Sequence, residues 1–211
     1  PGCGFVCEEE EKVDFGKEYE WVIDPIDGTA NYSRDIDHCC ISVALRKNDE
    51  PVLGVVYSPM RDEMYYAEKG GGAFLNGKPI HVSKRSFKES ILCTALCLYR
   101  KEYAEACGSV IMDAFKKCND VRRFGSAAME LCFLACGRCD LFFEIRLLPW
   151  DFAAAQLIVE EAGGKLTNLD GNPPRIDAPD LVCGANSEEN HRELLGIIRK
   201  HIPSIPYNRS F

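Results

Sequence analysis

The feature that most constrains this chain is the run Trp21-Val22-Ile23-Asp24-Pro25-Ile26-Asp27-Gly28-Thr29. Trp21 to Ile23 reads as a short buried strand, because β-branched and aromatic side chains suit a pleated, packed surface. Pro25 has a fixed φ and no N–H for a ladder, so the strand is expected to end there. Gly28 permits a tight turn or a close approach of the backbone to another group. The run therefore sets two carboxylates and the Thr29 hydroxyl on a constrained turn at a strand end. All-oxygen donors of this kind suit hard divalent cations such as Mg²⁺. An Asx-type turn with two solvated acids satisfies the same local pattern.

Other acids stand where a fold can bring them to this turn. Glu8 and Glu9 open an acidic block directly after Phe5-Val6-Cys7, so Glu8 can project from a strand end. Glu144 closes the apolar stretch Leu141-Phe142-Phe143 and is expected to end a strand. Asp151 sits between Trp150 and Phe152, where an uncompensated carboxylate is costly and a bound metal would offset the cost. By position Asp151 is expected to open a helix running to Ala162 as its N-cap, worth on the order of 1 kcal/mol. Gly125-Ser126-Ala127 starts another apolar helix. Free N–H groups and a positive dipole end make that start either an anion site or an ordinary serine cap.

Between these points the chain alternates apolar runs with turn signals. His38–Leu45, Val52–Tyr57 and Glu63–Glu68 read as strands of an antiparallel meander, with Lys47-Asn48-Asp49-Glu50 as a hairpin connection. Gly70-Gly71-Gly72 and Asn76-Gly77 read as turns, without the spacing of a phosphate-binding loop. A polar connection at Val82-Ser83-Lys84-Arg85-Ser86 marks a boundary, giving an N-terminal half (1–86) and a C-terminal half (87–211). Ser90–Leu98 is expected to be a strand, Lys101–Lys117 a helix, Lys165–Thr167 and Leu181–Ala185 closing strands, and Ser187–His201 a terminal surface helix.

Composition excludes several classes. With 25 basic against 33 acidic residues the net charge is −8, so no basic footprint exists for nucleic acid and none is expected as a partner. No run approaches the ~18 apolar residues of a membrane span. The 12 cysteines lie largely in apolar runs of a chain large enough to need no staples, and read as reduced thiols of a cytoplasmic protein. Cys136-Gly137-Arg138-Cys139 has no second pair at zinc spacing and reads as a helix end followed by a turn. None of the four histidines accompanies a serine or cysteine nucleophile in a recognisable elbow, which argues against acyl transfer. Hydrolysis without a histidine base would need water activated by a metal that carboxylates hold.

Taken together, Asp24-Pro25-Ile26-Asp27-Gly28-Thr29 and Trp150-Asp151-Phe152-Ala153-Ala154 resemble the two signature motifs of the inositol monophosphatase family, the Mg²⁺-dependent, lithium-sensitive sugar phosphatases. Phe5-Val6-Cys7-Glu8-Glu9 resembles that family's upstream element, with Cys7 where glycine is usual. The similarity runs from Phe5 to the last helix. It implies an α/β fold in α-β-α-β-α layers, with the chain beginning almost at the Glu8 element and so lacking most of the family's N-terminal helical pair. A chain trimmed there is expected to be less stable, inactive or wrongly assembled.

The resemblance also implies roles. Glu8, Asp24 and the Ile26 carbonyl would hold one Mg²⁺, and Asp24, Asp27 and Asp151 a second. Glu9 would stand behind them or serve a third ion. Glu8 and Thr29 would orient the attacking water, with Asp27 in the same machinery. The Gly28 and Thr29 amides would take the phosphate. Gly125, Ser126, Ala127, Glu144 and Asp151 would face the sugar.

The implied activity is hydrolysis of a small polyol or sugar phosphate, inositol 1-phosphate first, in a cytoplasmic and commonly dimeric protein. Fructose 1,6-bisphosphate, 3′-phosphoadenosine 5′-phosphate and histidinol phosphate are the alternatives. Low basicity near Glu144 speaks against a nucleotide bearing a second phosphate. A non-catalytic metal or phosphate binder is the alternative outside enzymes.

Overall fold

The computed structural model describes residues 2–9, 16–97 and 100–202. Leu98, the end of the stretch Ser90–Leu98, and Glu10 and Glu11, which continue the acidic block after Glu9, lie outside the described residues.

The first half forms a seven-stranded sheet: β1 (Gly4–Cys7), β2 (Tyr19–Asp27), β3 (Cys40–Lys47), β4 (Glu50–Ser58), β5 (Glu63–Glu68), β6 (Ala73–Leu75) and β7 (Lys78–Pro79), in sequential order. Only β1 and β2 are parallel. A four-residue helix, α1 (Thr29–Tyr32), follows β2. The hairpins are set by residues that tolerate positive φ: Asn48 and Asp49 between β3 and β4, Asn76 and Gly77 between β6 and β7. Two-residue turns of this kind match the strand twist.

The second half carries a five-stranded sheet in the order β11-β12-β10-β8-β9, built from β8 (Ile91–Thr94), β9 (Asp120–Arg122), β10 (Leu141–Leu147), β11 (Lys165–Thr167) and β12 (Asp180–Ala185). Its helices are α2 (Ala104–Phe115), α3 (Ala127–Ala135), α4 (Pro149–Glu161) and α5 (Glu188–His201). The change of sheet falls in the connection between Pro79 and Ile91.

All nine residues of α3 and ten of the thirteen in α4 are buried. A helix apolar all round must be covered on every side. These two helices lie between the sheets, sharing one core with the inner face of the first sheet and with Phe142 and Val182 of the second. α2 and α5 cover the far face of the second sheet around Leu92, Leu141, Phe143 and Leu181. The described layers are therefore sheet, helices, sheet, helices, as the layered α/β expectation requires.

One row across the first sheet explains how closely α4 sits. Val6, Val22, Ala44, Gly54, Ala67 and Ala73 are cross-strand neighbours, all buried and mostly small. A Cβ on Gly54 would stand 2.4 Å from the Ala154 carbonyl oxygen, so only glycine admits the helix backbone there. The opposite face of the same sheet is also apolar: Cys7, Ile23, Val43, Val55, Tyr66 and Phe74 form a half-buried row, with Phe5, Ile41 and Met64 exposed. An antiparallel sheet apolar on both faces is suited to packing on both.

Three expectations need correction. β2 does not end at Pro25 but continues to Asp27. Its register against β3 shifts between Asp24 and Asp27, and Pro25 lies in that irregularity, where the ladder asks for no N–H. β10 likewise runs past Glu144 to Leu147, with a register shift against β12 between the two. His191 is no surface residue of α5: it is buried, and its Nε2 is 2.8 Å from Thr167 Oγ1. All 12 cysteines are free, and Cys136 follows directly on the last residue of α3, with Gly137 in a turn.

Burial, with the nearby Lys165 charge, lowers the His191 pKa from 6.5 to about 4. The unfolded chain binds a proton near pH 6.5 that the folded one refuses until about pH 4. The stability this imidazole contributes is thus complete above 6.5 and is lost as pH falls toward 4. His191→Gln cannot take up that proton. The stability gap between parent and variant, from urea midpoints, is expected to shrink by roughly 2–3 kcal/mol between pH 7 and pH 4.5.

Candidate active site

The site forms where the bulge in β2 meets the starts of α3 and α4. Because β1 pairs with β2 in parallel, with Cys7 beside Ile23, the next residue, Glu8, falls beside Asp24. The Glu8 N–H donates to the Ile23 carbonyl at 3.3 Å. Within the bulge, the Ile26 N–H donates to Asp24 Oδ1 at 2.9 Å, and Thr29 Oγ1 donates to the Ile26 carbonyl at 2.9 Å. Gly28 turns the chain at φ 92°, where a Cβ would lie 2.8 Å from the His38 carbonyl oxygen.

Asp27 crosses to the other half of the molecule. Its Oδ2 accepts hydrogen bonds from Ser126 Oγ at 2.6 Å and from the Ala128 N–H at 2.8 Å. The free amides expected at the start of α3 are therefore met by a carboxylate of the protein itself. Ser126 is buried with its hydroxyl on Asp27 and does not line the cavity, so the anion-site expectation for this helix start is corrected. Asp151 is not the N-cap of α4. Pro149 occupies the first turn, the helix begins earlier than Ala153, and Asp151 is its third residue, accepting from the Leu148 N–H at 2.7 Å.

Asp24, Asp27 and Asp151 each offer a carboxylate oxygen within 4.8 Å of the others. They open on a cavity of about 180 Å³ whose walls include Glu8, Ile26, Gly28, Thr29, Gly125, Ala127 and Glu144. Of the residues singled out from sequence, Glu9 and Ser126 do not line it, and Glu9 is exposed. Sequence reasoning missed Arg123 and Arg146, which also line the cavity. Arg146 stands two residues from Glu144, so the expectation of low basicity there does not hold. It also passed over Asn31 and Glu130. The signals were present: Asn31 follows two residues after Thr29, and Glu130 is an acid inside an otherwise apolar helix.

The electrostatics are those of a cluster that asks for a cation. Burial, then the charges of Asp27, Glu8 and Asp151, push Asp24 up to about 9. Asp27 rises only to about 6, because the Ser126 and Ala128 hydrogen bonds oppose its burial. Burial also raises Asp151 and Glu144 well above the usual carboxylate range. Three converging carboxylates, with the Ile26 carbonyl beside them, are the donor set a hard divalent ion takes, so the residues present fit Mg²⁺.

The profile of the inositol monophosphatase family matches residues 1–203. The chain belongs to the inositol monophosphatase family. Its relatives include the Nus factor SuhB of Escherichia coli K12, 41% identical over 169 residues that cover 80% of this chain and 63% of that protein. The inositol-1-monophosphatase of Rhizobium meliloti is 36% identical over 97% of this chain and 77% of its own. Among solved structures, the inositol monophosphatase of Anabaena superposes with a TM-score of 0.86 at 36% identity, covering 95% of this chain and 80% of that one. The chain thus spans less than two thirds of the SuhB relative and more of the other two. The described residues contain no helix long and apolar enough to cross a membrane.

Because a divalent ion competes with protons for Asp24 and Asp27, its affinity should rise with pH. Chelator-stripped protein is expected to gain more thermal stability from a fixed Mg²⁺ concentration at pH 8 than at pH 6, and to release protons on titration. Scanning calorimetry and a pH-indicator titration measure the two effects.

Proposed function

We propose that this protein hydrolyses the phosphate monoester of a small polyol or sugar in an Mg²⁺-dependent reaction, with inositol 1-phosphate as first candidate. The observation that carries the reading is the convergence of Asp24, Asp27 and Asp151 within 4.8 Å in one cavity with Glu8 and Thr29. Glu8, Asp24 and the Ile26 carbonyl would hold one ion, and Asp24, Asp27 and Asp151 another. Bound there, the ions would neutralise phosphate charge and lend water the acidity a nucleophile needs.

The remaining work falls to the chain. Thr29 Oγ1 and the Glu8 carboxylate would orient the attacking water. The Gly28 and Thr29 amides would bind the phosphate oxygens. Glu144 would accept hydrogen bonds from the polyol hydroxyls, against a wall formed by Gly125 and Ala127. A soluble, cytoplasmic homodimer is part of the same reading, supported by family membership.

A second reading within the class follows from Arg123 and Arg146. Two guanidiniums on the cavity wall suit a substrate with a second anionic group, such as fructose 1,6-bisphosphate. A non-catalytic role is the remaining alternative, since the E. coli relative bears the name Nus factor.

Phosphate release from inositol 1-phosphate, fructose 1,6-bisphosphate, 3′-phosphoadenosine 5′-phosphate and histidinol phosphate separates these. Mg²⁺-dependent turnover is expected, abolished by chelator and lowered at least about 100-fold by Asp27→Asn. No turnover of any ester by the folded, Mg²⁺-loaded protein would leave the non-catalytic role. A kcat/KM for the bisphosphate above that for inositol 1-phosphate would favour the second reading.

A further inference from the structure

The two-residue turn Phe124–Gly125 is gripped from both halves of the molecule. Glu130, on α3 and fully buried, accepts the backbone N–H of Phe124 at 2.9 Å and of Gly125 at 2.8 Å on its Oε1. Its Oε2 is buried with no hydrogen-bond partner among the described residues. From the opposite side, Asn31 Nδ2 donates to the Phe124 carbonyl and the His38 carbonyl, each at 2.8 Å, and lies 3.4 Å from the Gly125 carbonyl. The Phe124 ring stacks on His38 with centroids 4.9 Å apart, and both rings meet Phe133 edge-on.

Both amides and both carbonyls of this turn are thus met by side chains rather than by a ladder. The arrangement is costly. A carboxylate in the core, with one oxygen unpartnered, works against folding, and its burial lifts Glu130 to about 7. A surface loop has no need of such an anchor, whereas a wall that must meet a ligand to within a fraction of an ångström does. The turn is that wall: Arg123 and Gly125 line the cavity, and Ala127 follows. Asn31 belongs to α1, which starts at Thr29, so it ties the wall directly to the turn that carries Asp24 and Asp27.

We propose that Glu130 and Asn31 are positioning residues that lock the Phe124–Gly125 wall against the Asp24–Thr29 turn, so that a polyol held by the wall is aligned with the phosphate held at the turn. The proposal rests on the phosphatase reading above. It makes the clamp a determinant of substrate choice: an ester with no polyol to seat gains nothing from it.

The test compares inositol 1-phosphate with p-nitrophenyl phosphate and follows hydrogen exchange at the Phe124 and Gly125 amides. Glu130→Ala is expected to speed exchange at both amides and to lower the ratio of kcat/KM for inositol 1-phosphate to that for p-nitrophenyl phosphate by at least about tenfold, chiefly through KM. Glu130→Gln keeps the Oε1 acceptor and should restore slow exchange and the ratio. Asn31→Ala, at a half-buried position that tolerates truncation better, should lower the ratio in the same direction.

Equal losses on both esters, unchanged exchange in Glu130→Ala, or a Glu130→Gln as impaired as Glu130→Ala would overturn the proposal. Absence of turnover of either ester by the unmodified protein overturns the phosphatase reading itself. Turnover with unselective losses overturns only the positioning role.

Discussion

The bond between the Asp27 carboxylate and the start of α3 holds the site together. Asp27 lies on the first sheet and α3 in the second half, yet Oδ2 takes the Ser126 hydroxyl and the Ala128 amide as a capping side chain would. The helix supplies unpaired N–H groups and a positive dipole end; the strand supplies the anion. Comparison with Asp24 shows the weight of that bond. Both carboxylates are buried, but the hydrogen-bond donors on Asp27 hold it to about 6. Asp24 has the Ile26 amide and three acidic neighbours, and it rises to about 9.

Asp151 follows the same logic on α4, where it is the third residue and accepts from the Leu148 amide. Two helix starts therefore aim at one cavity, each meeting an aspartate. The helices offset part of the repulsion that gathering these acids creates, and a bound cation would offset the remainder. What brings α4 close enough is packing. The small-residue row through Ala44, Gly54 and Ala67 lets the helix backbone approach the sheet, and only glycine fits against the Ala154 carbonyl. The tight contact in the core and the acidic cluster at its edge are one construction, which is why residues far apart in sequence meet within 4.8 Å.

Much of this was legible in the chain. The meander strands, both positive-φ hairpins, the helix after Gly125, the existence though not the start of the helix that carries Asp151, and the order of the acidic motifs all follow from short-range pattern and turn chemistry. Where local reading failed, a neighbour had intervened. Pro25 was expected to stop a strand, but a shifted register in β2 leaves its missing N–H without consequence. The start at Ser126 read as either an open anion site or an ordinary serine cap, but Asp27 arrives from 99 residues away and its carboxylate fills it. His191 was expected at the surface, but Thr167 and the edge of the second sheet cover it.

The sequence by itself determined the chemistry of the site: oxygen donors at Glu8, Asp24, Asp27 and Asp151, no histidine base beside a nucleophile, and a threonine after a glycine turn. These depend on residue type and spacing within a few positions, which a one-dimensional pattern records. The tertiary structure alone decided which acids share a cavity and how far each proton is held. It also decided that Arg123 and Arg146 face the same space and that Glu130 and Asn31 grip one wall of it. Those outcomes turn on burial and on contacts that reach from five or six positions, as between Glu130 and the Phe124–Gly125 amides, to about a hundred, as between Asp27 and Ser126, and both are properties of the packed chain rather than of any stretch of it.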